Sequence, residues 1–409
     1  MKKTFLLSCL MLAAMPVMAA YTGHVYVDKN KNGVFDQSEK PLAGIKVSDG
    51  LNVVETAADG SFTLPGHERE RFIFITTPSG YKTFNRHYHK IEKKQSGYDF
   101  GLIPYSGRIR KDGSHRYIHI ADTEIFNTEN HADWVNNVRD YARNEQAAFI
   151  IHTGDICYEK GLKAHIKLMN TENMDCPVFY CIGNHDLVKG KYGEELFESI
   201  YGPVYYSFDA GNVHYVVTPM PGGDHAPGYT SDDVCRWLKN DLAHIRPGTP
   251  VVVFNHDLLT YEDTFIFKSK NAGSINLNEY NLKAWVYGHW HINYMKKQGD
   301  VYSVCTSSLD KGGIDHSTTA FRVMHVDSKG DFTSELRYTY LDKNICIASP
   351  AGVMASGVLP VAVNVYSSVS PVREVLYTCL ADGKPVLKNK RLLQSTDWSW
   401  NGELPLSHK

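Results

Sequence analysis

Five short apolar runs in the middle of the chain, Tyr117 to Ile120, Ala148 to His152, Val178 to Ile182, Val251 to Phe254 and Trp285 to Tyr287, each break abruptly into polar residues. The polar clusters are Asp122, Thr123, Glu124; Gly154, Asp155, Ile156, Cys157, Tyr158; Gly183, Asn184, His185, Asp186; Asn255, His256, Asp257; and Gly288, His289, Trp290, His291. Apolar runs rich in β-branched and aromatic residues and bounded by turn formers read as buried strands. Between several of them lie amphipathic stretches, Asp133 to Ala147 with Trp134, Val138, Tyr141 and Ala142 on one face, and Asp232 to Ile245 with Ser231 as its cap. Strand, helix, strand alternation implies a layered α/β domain. The loops that leave such strands converge on one rim of the sheet, where these clusters would supply carboxylates, imidazoles and an amide enough for two metal ions.

Within the third cluster the residue types divide the labour. Gly183 is expected to turn the chain sharply, Asn184 to offer a neutral oxygen, and His185 to carry a proton while Asp186 orients its ring. The other histidines, His119, His152 and His214 on strands, read as satisfied or surface residues, and His225 lies in the loop from Pro221, which could overhang the site but reads better as a solvated turn. Tyr261, Glu262, Asp263, Asp310 and Lys311 follow strands near the rim and are candidate substrate contacts.

The ordered set resembles the metallophosphoesterases of the calcineurin-like superfamily, whose pattern runs Asp-x-His, Gly-Asp-x-x-Asp, Gly-Asn-His-Asp/Glu, a lone His and Gly-His-x-His. The resemblance covers about Arg116 to Asp342, and Tyr205 to Val216 and Trp237 to Leu242 look like segments of its bacterial members with extra terminal domains. It implies a β-sandwich flanked by helices and a binuclear centre. Asp155 would bridge both ions, Asp122 and His291 would hold the first, and Asn184, His256 and His289 the second. Two positions depart from the pattern: Glu124 stands where the family has His, and Tyr158 where it has Asp. Glu124 either donates an oxygen to the first metal or bonds a neighbour. Tyr158 resembles the tyrosine of the Gly-Asp-x-x-Tyr motif in purple acid phosphatases, an iron ligand there, or else it lines the pocket. If both ligate, the first site favours Fe or Mn over Zn.

A chain of 409 residues exceeds one core, and the flanks of the α/β segment read as separate β domains. Residues 1–19 read as a secretory signal, with Lys2 and Lys3, an apolar run from Phe5 to Ala14, and Val17, Met18, Ala19 before the cleavage point, so a periplasmic or secreted location is expected. Residues 20–105 form short alternating strands, a small β-sandwich. Its Asp28, Asn30, Asn32, Val34, Asp36 and Glu39, with Gly33 between, have the spacing of a calcium loop and resemble those of β-sandwich repeats in bacterial surface proteins; the alternative is a solvated Asx-rich turn. Thr56, Asp59, Gly60, Phe62 and Leu64 resemble the hairpin of carboxypeptidase-regulatory-like domains, which serve as accessory modules. The α/β domain then spans 106–343, and 344–409 reads as a small antiparallel β domain with Trp398 and Trp400 alternating on its last strand, one expected in the core and one across strands.

The formal charge of -2 gives no bulk electrostatic case for a nucleic-acid partner, and no segment after the signal approaches the about 20 apolar residues of a membrane span. Seven cysteines remain after Cys9 leaves with the signal, mostly inside apolar runs, which favours free thiols over a disulfide framework, with Cys176 and Cys181 a possible pair. The expected activity is hydrolysis of a phosphomonoester or phosphodiester of a small molecule, glycan or lipid with two divalent or mixed-valence ions of Mn, Fe or Zn. A pyrophosphate-bond hydrolase of a nucleotide sugar or lipid, and a surface binding protein with a decayed site, stand as alternatives.

Overall fold

The computed structural model describes residues 20–314, 317–340, 343–350, 352, 357–367, 371–396 and 398–406. The expected signal, 1–19, lies outside the described residues.

Two sheets face each other at the centre of the chain. In the first the strand order is Val178–Tyr180, Phe149–His152, His115–Ile120, Ala320–Val326, Phe332–Tyr338, with the first three parallel and the rest antiparallel. In the second it is Tyr206–Ala210, Val213–Val217, Val251–Phe254, Leu282–Tyr287, Val301–Cys305, Tyr294–Gln298, with parallel pairing from Val213–Val217 through Val301–Cys305. Tyr117, Phe149 and Ile151 of the first sheet meet Tyr215, Phe254 and Trp285 of the second in one apolar layer. The outer face of the first sheet is covered by Ala132–Asn144 and Tyr158–Leu168, through Trp134, Val138 and Ala164. The five polar clusters therefore come from two sheets rather than from one rim: three follow strands of the first and two follow strands of the second.

Ser231–Ala243 covers the second sheet with Trp237 and Leu238. Its cap is Thr230, not Ser231. Thr230 has extended backbone, its hydroxyl oxygen accepts from the Asp233 N–H at 3.2 Å, and Asp233 returns the contact to the Thr230 N–H at 2.9 Å. That reciprocal box needs an acid three residues after the cap, which Ser231 lacks.

The N-terminal strands form two small sheets around Val25, Val47, Leu64, Ile73, Ile75 and Leu102. This unit packs against the central domain, because Phe72, Phe74 and Tyr88 join the main core beside Trp237. Arg71 reaches Glu194 at 2.7 Å and Glu198 at 2.9 Å, and Thr76 Oγ1 meets Ser207 Oγ at 2.8 Å. The 28–39 loop is closed by its own hydrogen bonds. Asp28 accepts from the N–H of Asn32 and Gly33, Asp36 from the amides of Asn30 and Asn32, and Glu39 from the N–H of Lys29 and Asp36, while Val34 is exposed.

In the C-terminal unit Lys343–Ser349, Gly357–Ser367, Ser399–Leu406 and Leu393–Gln394 pair in one sheet, beside a hairpin of Leu376–Ala381 and Lys384–Arg391. Both tryptophans are buried, Trp400 in the unit's own core and Trp398 against Ala320, Leu336 and Tyr338 of the central domain. All seven described cysteines are free, five of them buried. Among the described residues no helix is long and apolar enough to cross a membrane.

Candidate metal centre

The backbone braids the clusters together before any side chain is placed. The Asp122 N–H donates to the Gly154 carbonyl at 3.0 Å, the Glu124 N–H to the Asp155 carbonyl at 3.2 Å, and the Gly288 N–H to the His256 carbonyl at 3.0 Å. Asp122, Glu124, Asp155, Cys157, Tyr158, His289 and His291 all hold positive φ, between 44° and 80°, a region costly for residues with a Cβ.

Gly183 does not serve the conformational purpose expected of it. Its φ of -98° and ψ of 179° are open to any residue. What it provides is room: a Cβ there would lie 2.2 Å from Asp155 Oδ1 and 2.4 Å from the Asp155 nitrogen. Gly288 is pressed likewise on Asp122, with a Cβ at 2.7 Å from Oδ2.

Asp155 is the shared member of two clusters. Its ligand oxygen lies within 4.8 Å of ring nitrogens of His256 and His289, and the same holds for Glu124, Asp155 and His185 as a group. His256 Nε2 lies 3.2 Å from Asp155 Oδ2 and 3.1 Å from Asn184 Oδ1. His291 Nε2 lies 3.4 Å from Asp122 Oδ1 and 3.6 Å from Glu124 Oε1. These contacts bring Asp122, Glu124, Asp155, Asn184, His256, His289 and His291 together, and the eighth expected ligand, Tyr158, has its hydroxyl 3.4 Å from His185 Nδ1.

The donor chemistry fits metal ions. His256 Nδ1 contacts the Thr153 carbonyl at 2.7 Å, and a carbonyl only accepts, so Nδ1 carries the hydrogen. Nε2 then points its lone pair at two oxygens, an arrangement that calls for a cation between them. Without one, the ring must take a second proton: burial lowers its pKa, but Asp155 and then Asp122 outweigh burial and push it up to about 10. Burial raises the pKa of Asp122, against the pull of His291 and His256.

His185 is held by Asp224, not by Asp186. Its Nδ1 lies 2.8 Å from Asp224 Oδ2. Burial alone would lower its pKa; Asp224 and then Asp155 reverse that and raise it. Asp186 is fully buried and accepts from the N–H groups of Asp155, Cys157 and Gly183 at 2.9–3.0 Å, so it fixes the loops that carry the candidate ligands Asp155 and Asn184. Asp224 belongs to the Pro221 turn, read from sequence as solvated. That turn lies over the centre because Gly223 is pressed on Asn184, where a Cβ would meet the carbonyl oxygen at 2.4 Å.

Glu124 also pairs with Lys311. Asp310 instead accepts from Tyr340 at 2.8 Å, and Asp257 accepts from the Trp290 indole at 3.0 Å. His119 and His152 are buried and each meets a hydroxyl, Thr153 at 2.9 Å and Thr123 at 3.0 Å. His214 is buried between Asp209 and Asp241.

Residues 29–104 match the model for the N-terminal domain of calcineurin-like phosphoesterases, and residues 115–293 match the model for calcineurin-like phosphoesterase itself. Purple acid phosphatase 13 of Arabidopsis thaliana is 26% identical over 215 residues, which are 49% of this chain and 36% of that protein, so the chain spans about a third of this relative's length. Among solved structures, a dimetal phosphatase from Danio rerio is 12% identical with a TM-score of 0.37, the match covering 54% of this chain and 98% of that one. GAP50, an anchor in the inner membrane complex of Plasmodium, is 14% identical with a TM-score of 0.34, covering 56% and 85%. With the two models in sequence order across well over half of its length, the chain belongs to the calcineurin-like metallophosphoesterase superfamily.

Proposed function

We propose that the chain is an exported binuclear phosphoesterase that hydrolyses phosphomonoesters or phosphodiesters. The observation that carries this reading is His256, whose Nδ1 is committed to a carbonyl while Nε2 faces Asp155 and Asn184. Asp155 would be shared by two ions, with Asp122, His291 and Glu124 toward one and Asn184, His256 and His289 toward the other. Two bound ions would activate a water for attack on phosphorus and neutralise the phosphoryl oxygens.

The chain's own residues supply the rest. His185, held at Nδ1 by Asp224, gives the proton on its other ring nitrogen to the leaving oxygen. Asp186 keeps the Asp155 and Gly183 backbones in register through three N–H bonds. Lys311, paired with Glu124, adds a cation at the mouth for the phosphate charge. Export is supported by Lys2 and Lys3 before the apolar run from Phe5 to Ala14. A decayed binding protein is disfavoured because Asp122, Asp155, Asn184, His185, His256, His289 and His291 are all present.

Metal analysis of the purified protein, followed by turnover of a chromogenic phosphate ester, tests the reading. About two ions per chain and turnover that falls in His256→Ala are expected. Absence of both metal and turnover after loading with Mn, Fe or Zn would sink it.

A further inference from the structure

Large apolar side chains left in water mark a binding surface when they cluster. Among the described residues before 345, the exposed large apolar side chains are Val34, Phe126, Tyr158, Tyr261, Ile314 and Tyr340, and four of these six stand at the mouth of the metal centre. They form two rims.

Beside His185, Phe126 and Tyr158 stack at 6.2 Å between centroids and 16° between planes, and Tyr158 lies 5.3 Å from the His185 ring. Lys311 sits 5.8 Å over the Phe126 ring. Beside His289 and His291, Tyr261 stacks on Trp290 at 5.8 Å and 27°, in an open pocket of about 580 Å³ whose wall also holds Ile314. Trp290 is fixed by its indole N–H on Asp257 at 3.0 Å, and Ile314 by its N–H on the His291 carbonyl at 2.9 Å. Tyr261 is 75% exposed, so its ring leans on a fixed partner while most of it faces solvent. An anchored ring with an open face is what stacking recognition requires. A monoester carries one organic group and needs one rim; two rims suit a phosphate with two.

We propose that these rims are two ring-binding subsites for a phosphodiester, the leaving group on Phe126 and Tyr158 beside His185 and the retained group on Tyr261 and Trp290. The inference rests on the phosphoesterase reading. In that hydrolysis the P–O bond to the leaving group breaks and its oxygen takes the His185 proton. The oxygen of one water becomes bonded to phosphorus, one of its protons staying on the new phosphate oxygen and the other replacing the proton that His185 gave, and the monoester product keeps its ring at Tyr261.

Kinetics with p-nitrophenyl phosphate and bis(p-nitrophenyl) phosphate, on metal-loaded wild type, Tyr261→Ala and Phe126→Ala, read the subsites separately. Tyr261→Ala is expected to lower kcat/KM for the diester about tenfold more than for the monoester, and Phe126→Ala to lower both by about tenfold. Equal losses on both probes in Tyr261→Ala, or no loss in either variant, overturns the proposal. Quenching of tryptophan fluorescence by the diester reports ring binding without turnover. Quenching that fades in Tyr261→Ala while neither probe is hydrolysed supports the subsite and sinks the hydrolase reading. Diester hydrolysis with quenching unchanged in Tyr261→Ala sinks the subsite alone.

Discussion

His214 lies in the core with Nδ1 2.7 Å from Asp209 and Nε2 2.8 Å from Asp241, an imidazolium between two carboxylates. Burial by itself lowers its pKa, but Asp241 and then Asp209 overcome that and push it from 6.5 up to about 9. At about 1.4 kcal/mol per unit, the difference amounts to about 3 kcal/mol of folding free energy. The sign follows from a folded pKa above the unfolded one: the stabilisation is complete below pH 6.5 and is lost as pH rises toward about 9. His214→Gln removes the titrating group and leaves both acids facing a neutral amide. Urea unfolding at pH 6, 7.5 and 9, at constant ionic strength, is the assay. Wild type should lose about 3 kcal/mol across that range, and the variant should start lower by at least that much and stay flat by comparison. A variant that keeps the wild-type slope would refute the assignment of the proton to His214.

Gly183→Ala should lower metal content as well as stability by about 1–3 kcal/mol, because the new methyl lands on Asp155; a full complement of metal by plasma spectrometry would refute the packing argument. Asp224→Asn should cut turnover about tenfold to a hundredfold while metal content holds, since an amide stabilises the imidazolium poorly. Asp186→Asn should instead cost about 2 kcal/mol in thermal unfolding, as three N–H donors lose a charged acceptor, and equal turnover loss with unchanged melting in both variants would reverse these roles. Arg71→Met should destabilise by about 3–5 kcal/mol by stranding Glu194 and Glu198 between the two domains. Burial already pushes Glu198 up to about 7, so that loss should shrink below pH 7; a denaturation series without that trend counts against it.

The strands and the polar clusters that follow them were legible because each rests on local pattern: an apolar run that fills a core layer must end where the chain leaves the sheet. The partner of His185 was not legible. Asp186 is adjacent in sequence, but a one-residue step turns its carboxylate into the loop's interior. Asp224, 39 residues from His185, arrives through a turn whose position depends on Gly223 meeting Asn184. Sequence shows a turn of Pro and Gly there, for which overhanging the site and lying in solvent are both open readings. The same limit applies to Phe126, an aromatic after a polar cluster that reads as any loop residue until Tyr158 stacks on it. Gly183 was legible as a glycine and misread in its reason, since sequence does not distinguish a need for positive φ from a need for empty space.

The left-handed backbone at the metal centre bears on what substitution there would do. Asp122, Asp155, His289 and His291 sit where glycine, with no Cβ, would be more comfortable, each by about 1–2 kcal/mol. Replacing one of these side chains with glycine would therefore relieve backbone strain while emptying a candidate ligand position, so the local backbone preference and the proposed chemistry pull in opposite directions.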